Sequence, residues 1–136
     1  MQLLNSTQHT LFFVYGTLRQ GESNDINHQR PQPRFIDHAW VRGRLYDLGD
    51  CPGLILDPSA GGVAGEVYAV APRIIPILDA IEDDCGIYFR VHAEVRMRDA
   101  TRLSCVLYES SVVQVLTRPL IMSGDWVAYR CAMLAA

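Results

Sequence analysis

From Tyr88 to Arg98 the chain alternates without a break. Phe89, Val91, Ala93, Val95 and Met97 are apolar, while Tyr88, Arg90, His92, Glu94, Arg96 and Arg98 are polar or charged. A period of two fits an extended strand, because successive side chains of a strand leave on opposite faces. One face must be buried and the other wet, so this strand belongs to a sheet that packs on a single side. Much of the remaining sequence agrees with it. Leu11 to Tyr15 is short and almost wholly apolar, and Val41 to Leu48 and Val63 to Val70 carry β-branched and aromatic residues broken by glycines. Gly43 and Gly65 inside those segments predict bulges or sharp bends, as a closing barrel needs. Ser104 to Tyr108, Val112 to Leu116 and Trp126 to Cys131 complete the predicted β set. Asp57 to Gly62 reads as a turn between strands, and Gly21 to Pro33 as a long polar loop of the kind that is often functional or mobile.

One helix interrupts this pattern, over about Arg73 to Asp84. Pro72 and Pro76 are tolerated only near its beginning, and Gly86 stops it. Turned by about 100° per residue, Ile74, Ile75, Ile77, Leu78 and Ile81 form one apolar stripe, with Asp79 and Asp83 opposite it, towards water. Glu82 breaks the rule. It follows Leu78 by four positions and Ile75 by seven, which places a carboxylate inside the apolar stripe. Lost hydration disfavours the charged form and raises the pKa, and a glutamate so tuned moves protons near neutral pH. The competing reading is a carboxylate that bends out to water or pairs with Arg90.

The second chemical element is Val14-Tyr15-Gly16-Thr17-Leu18-Arg19-Gln20-Gly21, an apolar strand that runs into a glycine turn. Gly16 lets a ligand approach the backbone, and successive N–H groups in such a turn form a concave nest for a carboxylate or oxyanion. The spacing is not that of a phosphate loop.

Composition narrows the partners. The 136 residues suit a single domain spanning 1–136, and 49% hydrophobic with 20% charged residues marks a globular chain. The net charge of −3, without a basic block, argues against nucleic acid. The pairs Arg42 with Arg44 and Arg96 with Arg98 have strand spacing and read as solvated faces. No apolar run approaches the ~20 residues that cross a bilayer, so no membrane partner is expected. Met1 to Thr10 has neither a basic start nor an apolar middle, so a secretory signal is not expected. The glycosylation pattern Asn5-Ser6-Thr7 is accordingly read as chance, and the location as cytoplasmic. Four cysteines, Cys51, Cys85, Cys105 and Cys131, show no metal-ligand spacing and are expected as free thiols.

The motifs together resemble one family. V-Y-G-T-L-R-x-G-E-x-N at Val14 to Asn24 is similar to the N-terminal signature of gamma-glutamylcyclotransferase-like proteins, including bacterial gamma-glutamylamine and butirosin-type members. So are Gly43 to Gly49, Cys51-Pro52-Gly53, Val63 to Tyr68, the helix Leu78 to Glu82 followed by Tyr88-Phe89-Arg90, and Ser123 to Trp126, all in the family's order. The resemblance implies an α+β fold, a small mixed β-barrel with flanking helices. It also implies a pocket between the Tyr15 to Leu18 turn and one essential glutamate, which maps to Glu82. The implied reaction is a transferase- or lyase-type cyclisation. The α-amine of a small gamma-glutamyl substrate attacks its own γ-amide carbonyl and releases 5-oxoproline and an amine or amino acid. Glu82 would carry the proton, and no metal or organic cofactor is expected. Tyr15, Gly16, Thr17, Leu18 and Tyr88 are the substrate-binding candidates. Tyr88 stands equally well as a half-buried barrel residue, and Arg90 and Glu66 are expected to be structural. The assembly is left open between monomer and homodimer. Two rivals stand beside the cyclotransferase: a non-catalytic module that binds a small carboxylated ligand, and an amidase using Cys85 with His92. The negative end of a helix dipole disfavours a thiolate at Cys85.

Overall fold

The structure, a computed structural model, describes residues 8–135; the Asn5-Ser6-Thr7 tripeptide lies outside them. Strands β1 (Thr10–Val14), β2 (Arg34–Asp47), β3 (Pro52–Leu56), β4 (Gly62–Val70), β5 (Tyr88–Met97) and β6 (Arg102–Ser110) lie in the order β3-β2-β4-β1-β6-β5. β5 returns to β2 at Ala39–Met97 and Trp40–Arg96, which closes β2, β4, β1, β6 and β5 into a barrel. β1 and β6 run parallel and the other pairs antiparallel, so the barrel is mixed, as expected. β2 is long enough to serve two partners. Arg34 to Arg42 pair with β4, and Gly43 to Asp47 pair with β3.

β1 is buried on both faces, which explains its unbroken apolar run. Phe13 and Tyr15 point into the barrel with Val41, Leu54, Val95 and Leu107. Phe12 and Val14 point outward into a second core with Tyr68, Ile74, Leu78 and Tyr108. That second core is covered by helix α1 (Ile75–Cys85), entered through a 3-10 turn at Pro72–Ile74. The predicted Arg73 to Asp84 helix is therefore present within a residue or two. Arg42, Arg44 and Arg96 are exposed on their strands, as their spacing implied, and Arg98 is exposed in the turn after β5.

Three expectations need correction. Val112 to Leu116 and Trp126 to Cys131 are helical, forming α2 (Val112–Val115) and α3 (Trp126–Ala135). Short apolar runs do not separate strand from helix by periodicity. At α3 the deciding contact is a cap: Asp125 Oδ1 accepts the N–H of Ala128 at 3.2 Å. Gly43 and Gly65 are not bulges; the register shift in β2–β4 falls between Phe35 and Asp37. A Cβ on Gly65 would strike the Val14 carbonyl and the Phe13 ring, so that glycine allows two strands to close up. Finally, the Gly21 to Pro33 loop is tied down at its start. Asn24 N–H donates to Thr17 O and Ile26 N–H to Leu18 O, both at 2.9 Å, and Ile26 is fully buried.

Candidate active site

β1 delivers Tyr15 to the mouth of the barrel, and the chain turns at once. Arg19 N–H closes the turn on Gly16 O at 3.0 Å. Among the described residues, the N–H groups of Gly16, Thr17 and Leu18 donate to none of the acceptors that hold the rest of the segment. The turn is fixed from below by buried charge. Arg19 donates from Nε to Glu66 and from a terminal nitrogen to Asp125, each at 2.9 Å. Glu66 also accepts the Gln20 N–H at 3.0 Å and the Tyr68 hydroxyl at 2.9 Å. The structural role expected of Glu66 is therefore present, while the part played by Arg19 was not foreseen. Gly16 is needed for a reason different from the expected one. A Cβ there would lie 2.7 Å from the ring of Pro52, so that side of the glycine is filled by protein.

α1 packs over the outer face of β1 and the start of the turn, against Phe12, Val14 and Leu18. Leu78 and the preceding Ile74 are fully buried, and Ile75 and Ile81 pack against the same core. Ile77 departs from the predicted stripe, being 46% exposed. Asp79 departs too. It faces β5 and β6 rather than water, accepting the Tyr108 hydroxyl at 2.7 Å and pairing with Arg90 at 3.1 Å. Arg90 thus has the acidic neighbour anticipated for it, and that neighbour is not Glu82. Glu82 is half-buried, and among the described residues its carboxyl meets no hydrogen-bond donor or cation. Burial, and then the charges of Asp79 and Asp83, push it up to about 7.

Three phenols connect Glu82 to the turn. Burial first, and the Glu82 charge next, hold the Tyr15 and Tyr88 hydroxyls well above the usual tyrosine range. Tyr108 is raised by burial, by its bond to Asp79 and, more weakly, by Glu82. Tyr15 donates to Tyr108 O at 2.6 Å, and Tyr88 donates to Pro52 O at 2.8 Å. Tyr88 is half-buried with its hydroxyl on a backbone carbonyl, as the barrel-residue reading expects. Pro52 therefore touches Gly16 with its ring and Tyr88 with its carbonyl, and bridges the two walls. The expectation of four free thiols fails here. Cys51, beside Pro52, is joined to Cys85, three residues after Glu82, with Cα atoms 6.4 Å apart. The fold brings β3 and the end of α1 within disulfide range, a proximity that no spacing in the sequence announces. While this bond stands, Cys85 has no thiolate to serve the amidase reading.

Two surface cavities are formed largely by other elements, with Thr17 of the turn lining one of them. One of about 590 Å³ runs along β2, β3 and β5 past Trp40, Arg42 and His92, and another of about 630 Å³ lies between α3 and the loop from Thr17 to Ser23. Neither is lined by Glu82. What marks the Glu82 region is a carboxyl pushed up to about 7 whose charge acts on Tyr15, the residue before backbone N–H groups with no acceptor among the described residues, and that combination can bind an anion and move a proton beside it.

Residues 12–128 match the family described as gamma-glutamyl cyclotransferase, AIG2-like. A Vibrio cholerae protein provisionally named a gamma-glutamylcyclotransferase is 45% identical over 127 residues, covering 88% of this chain and 96% of that one. The gamma-L-glutamyl-butirosin B gamma-glutamyl cyclotransferase of Niallia circulans is 30% identical over 125 residues, covering 87% and 76%. Among solved structures, YkqA of Bacillus subtilis superposes with a TM-score of 0.76 at 27% identity; the match covers 94% of this chain and 43% of that longer one.

Proposed function

The chain belongs to the gamma-glutamyl cyclotransferase, AIG2-like family of enzymes, and on that footing we propose that it releases 5-oxoproline from a small gamma-glutamyl amide with Glu82 as general acid/base. The observation that carries this reading is the state of Glu82. Its carboxyl is half-buried, lacks a cation and is pushed up to about 7, so both protonation states are populated at neutral pH.

The substrate holds a free α-amine and a γ-amide carbonyl in one flexible chain. Folding it back in the cleft makes the attack intramolecular, and positioning supplies much of the rate. Glu82 takes a proton from the α-ammonium. The amine nitrogen then bonds to the γ-carbon, and the carbonyl π electrons move onto oxygen. When the tetrahedral intermediate collapses, the C–N bond to the leaving amine breaks as Glu82 returns the first proton to that nitrogen; Glu82 then takes the second proton from the ring nitrogen, leaving the neutral lactam, and passes it to the released amine, which departs as an ammonium. The N–H groups of Gly16, Thr17 and Leu18, which have no acceptor among the described residues, would hold the substrate carboxylate or the developing oxyanion. Tyr15 and Tyr88, kept as neutral phenols, line the space between.

The direct test is a screen of gamma-glutamyl amino acids and gamma-glutamyl amines for 5-oxoproline release, run on the wild type and on Glu82→Gln. Turnover of one class by the wild type and its loss in the variant is the expected result. Binding of gamma-glutamyl compounds without release would favour the non-catalytic module instead.

A further inference from the structure

We propose that Cys51 and Cys85 form a reversible thiol–disulfide site through which low-molecular-weight disulfides and thiols set the activity of the Glu82 cleft. The effect on activity rests on the cyclotransferase reading above; the exchange itself does not.

The bond joins the residue before β3 to the last residue of α1. Cys51 immediately precedes Pro52, whose ring packs on Gly16 and whose carbonyl holds the Tyr88 hydroxyl. Cys85 ends α1, one turn beyond Glu82. The cross-link therefore fixes the wall that supports the donor turn to the helix that carries the base. Few other ties act on this last turn. Gly86 N–H bonds only back to Glu82 O, at 3.2 Å, and the following segment is held by Gln114, which accepts the Ile87 N–H at 2.7 Å. Opening the bond frees the helix end between these points and leaves the barrel intact.

The two sulfurs differ in a way that suits exchange. Cys51 is buried, and Cys85 is only partly covered at the helix end, so an incoming thiolate reaches the Cys85 sulfur first. The Cys51 sulfur then leaves, 3.4 Å from the Tyr88 hydroxyl, which can donate to the departing thiolate only by giving up its bond to Pro52 O. In the oxidising direction, the Cys85 thiolate attacks a small disulfide RSSR, giving a Cys85 mixed disulfide and one RSH. Cys51 displaces the second RSH, so two protein thiols lose two electrons and two protons and RSSR gains them. Cys105 does not compete; it is buried and its thiol is pushed up to about 11. Cys131 is exposed and is removed by Cys131→Ser to prevent links between chains.

The experiment equilibrates the Cys131→Ser protein with oxidised or reduced dithiothreitol and follows three readouts. Thiol titration of the denatured protein should find one thiol after oxidation and three after reduction. The amides of Asp83 to Gly86 should exchange at least ~10-fold faster after reduction, a local opening independent of turnover. Release of 5-oxoproline should fall ~10-fold in kcat/KM on reduction and recover on re-oxidation, the scale expected when a base shifts by a fraction of an ångström. Cys85→Ser should stay near the reduced level under both conditions, with a Tm ~10 °C below the oxidised protein. Three thiols after oxidation would overturn the proposal. So would an unchanged kcat/KM in a protein whose thiol count and exchange do respond, since the bond would then be a structural staple. A protein that shows no cyclotransferase activity but keeps the thiol and exchange responses refutes the functional reading and leaves the exchange site standing.

Discussion

Replacing Glu82 by glutamine should make the protein more stable and nearly inactive, and the stability gain should appear only at high pH. The native carboxyl is raised from the ordinary 4.5 to about 7, with burial as the main cause. The folded state therefore holds the proton more tightly than the unfolded chain does. Between pH 4.5 and 7 the unfolded state loses its proton first, so stability falls as pH rises through that window and levels off above 7. At ~1.4 kcal/mol per tenfold change in proton affinity, the penalty above pH 7 is roughly 3 kcal/mol. Glutamine keeps the shape and polarity of the protonated form but cannot ionise. After allowance for a side chain that is only half-buried, the variant should gain ~2 kcal/mol at pH 8.5, or ~6 °C in Tm for a domain of this size. At pH 4 the two proteins should melt together. Circular dichroism melts at pH 4, 6 and 8.5 test this, with 5-oxoproline release measured on the same samples. Turnover should drop by ~10² or more. A stability difference that is the same at pH 4 and 8.5, or a variant that is weaker at pH 8.5, would mean that the carboxyl is ordinarily solvated and that the pKa argument is wrong.

Other substitutions test the surrounding parts. Asp79→Asn removes the nearest charge that raises Glu82 and leaves Arg90 unpaired, so the apparent pKa on the rising limb of kcat/KM against pH should fall below that of the wild type. Gly16→Val should impair both substrate binding and turnover, because its side chain must displace the Pro52 ring; calorimetry with a slowly turned-over gamma-glutamyl amine would show the binding loss. Glu66→Ala leaves Arg19 buried with Asp125 as its remaining partner and frees the Gln20 N–H, so urea unfolding should report a loss of about 3 kcal/mol.

The sequence disclosed most where periodicity and burial coincide. β5 was legible because one of its faces is apolar and the other wet, and β1 because both of its faces are buried. Glu82 was legible as a fault in a helical stripe, a one-dimensional signal for a carboxyl that the fold holds away from water. The same stripe misled at Asp79, whose drift toward β5 and β6 is decided by a tyrosine and an arginine on other strands. α2 and α3 were illegible as helices because runs of only a few apolar residues suit either period, and at α3 the cap from Asp125 is a contact rather than a pattern.

Contacts across the barrel account for most of what was hidden at the site. Pro52 on Gly16, Arg19 between Glu66 and Asp125, and Cys51 on Cys85 join residues separated by 34 to more than 100 positions. None has a spacing rule, since barrel closure, not local geometry, sets their distance. The consequence is mechanical. The carbonyls of the Gly16 to Leu18 turn are held by its own loop, through Arg19, Asn24 and Ile26, while a buried ion network and the Pro52 ring fix its flanks. Glu82, the proposed base, is likewise placed by a helix whose last turn is anchored through a cross-link. A site built this way can keep its backbone donors unpaired and its carboxylate without a cation, both of which cost stability, because the surrounding framework supplies the rigidity that the site itself lacks.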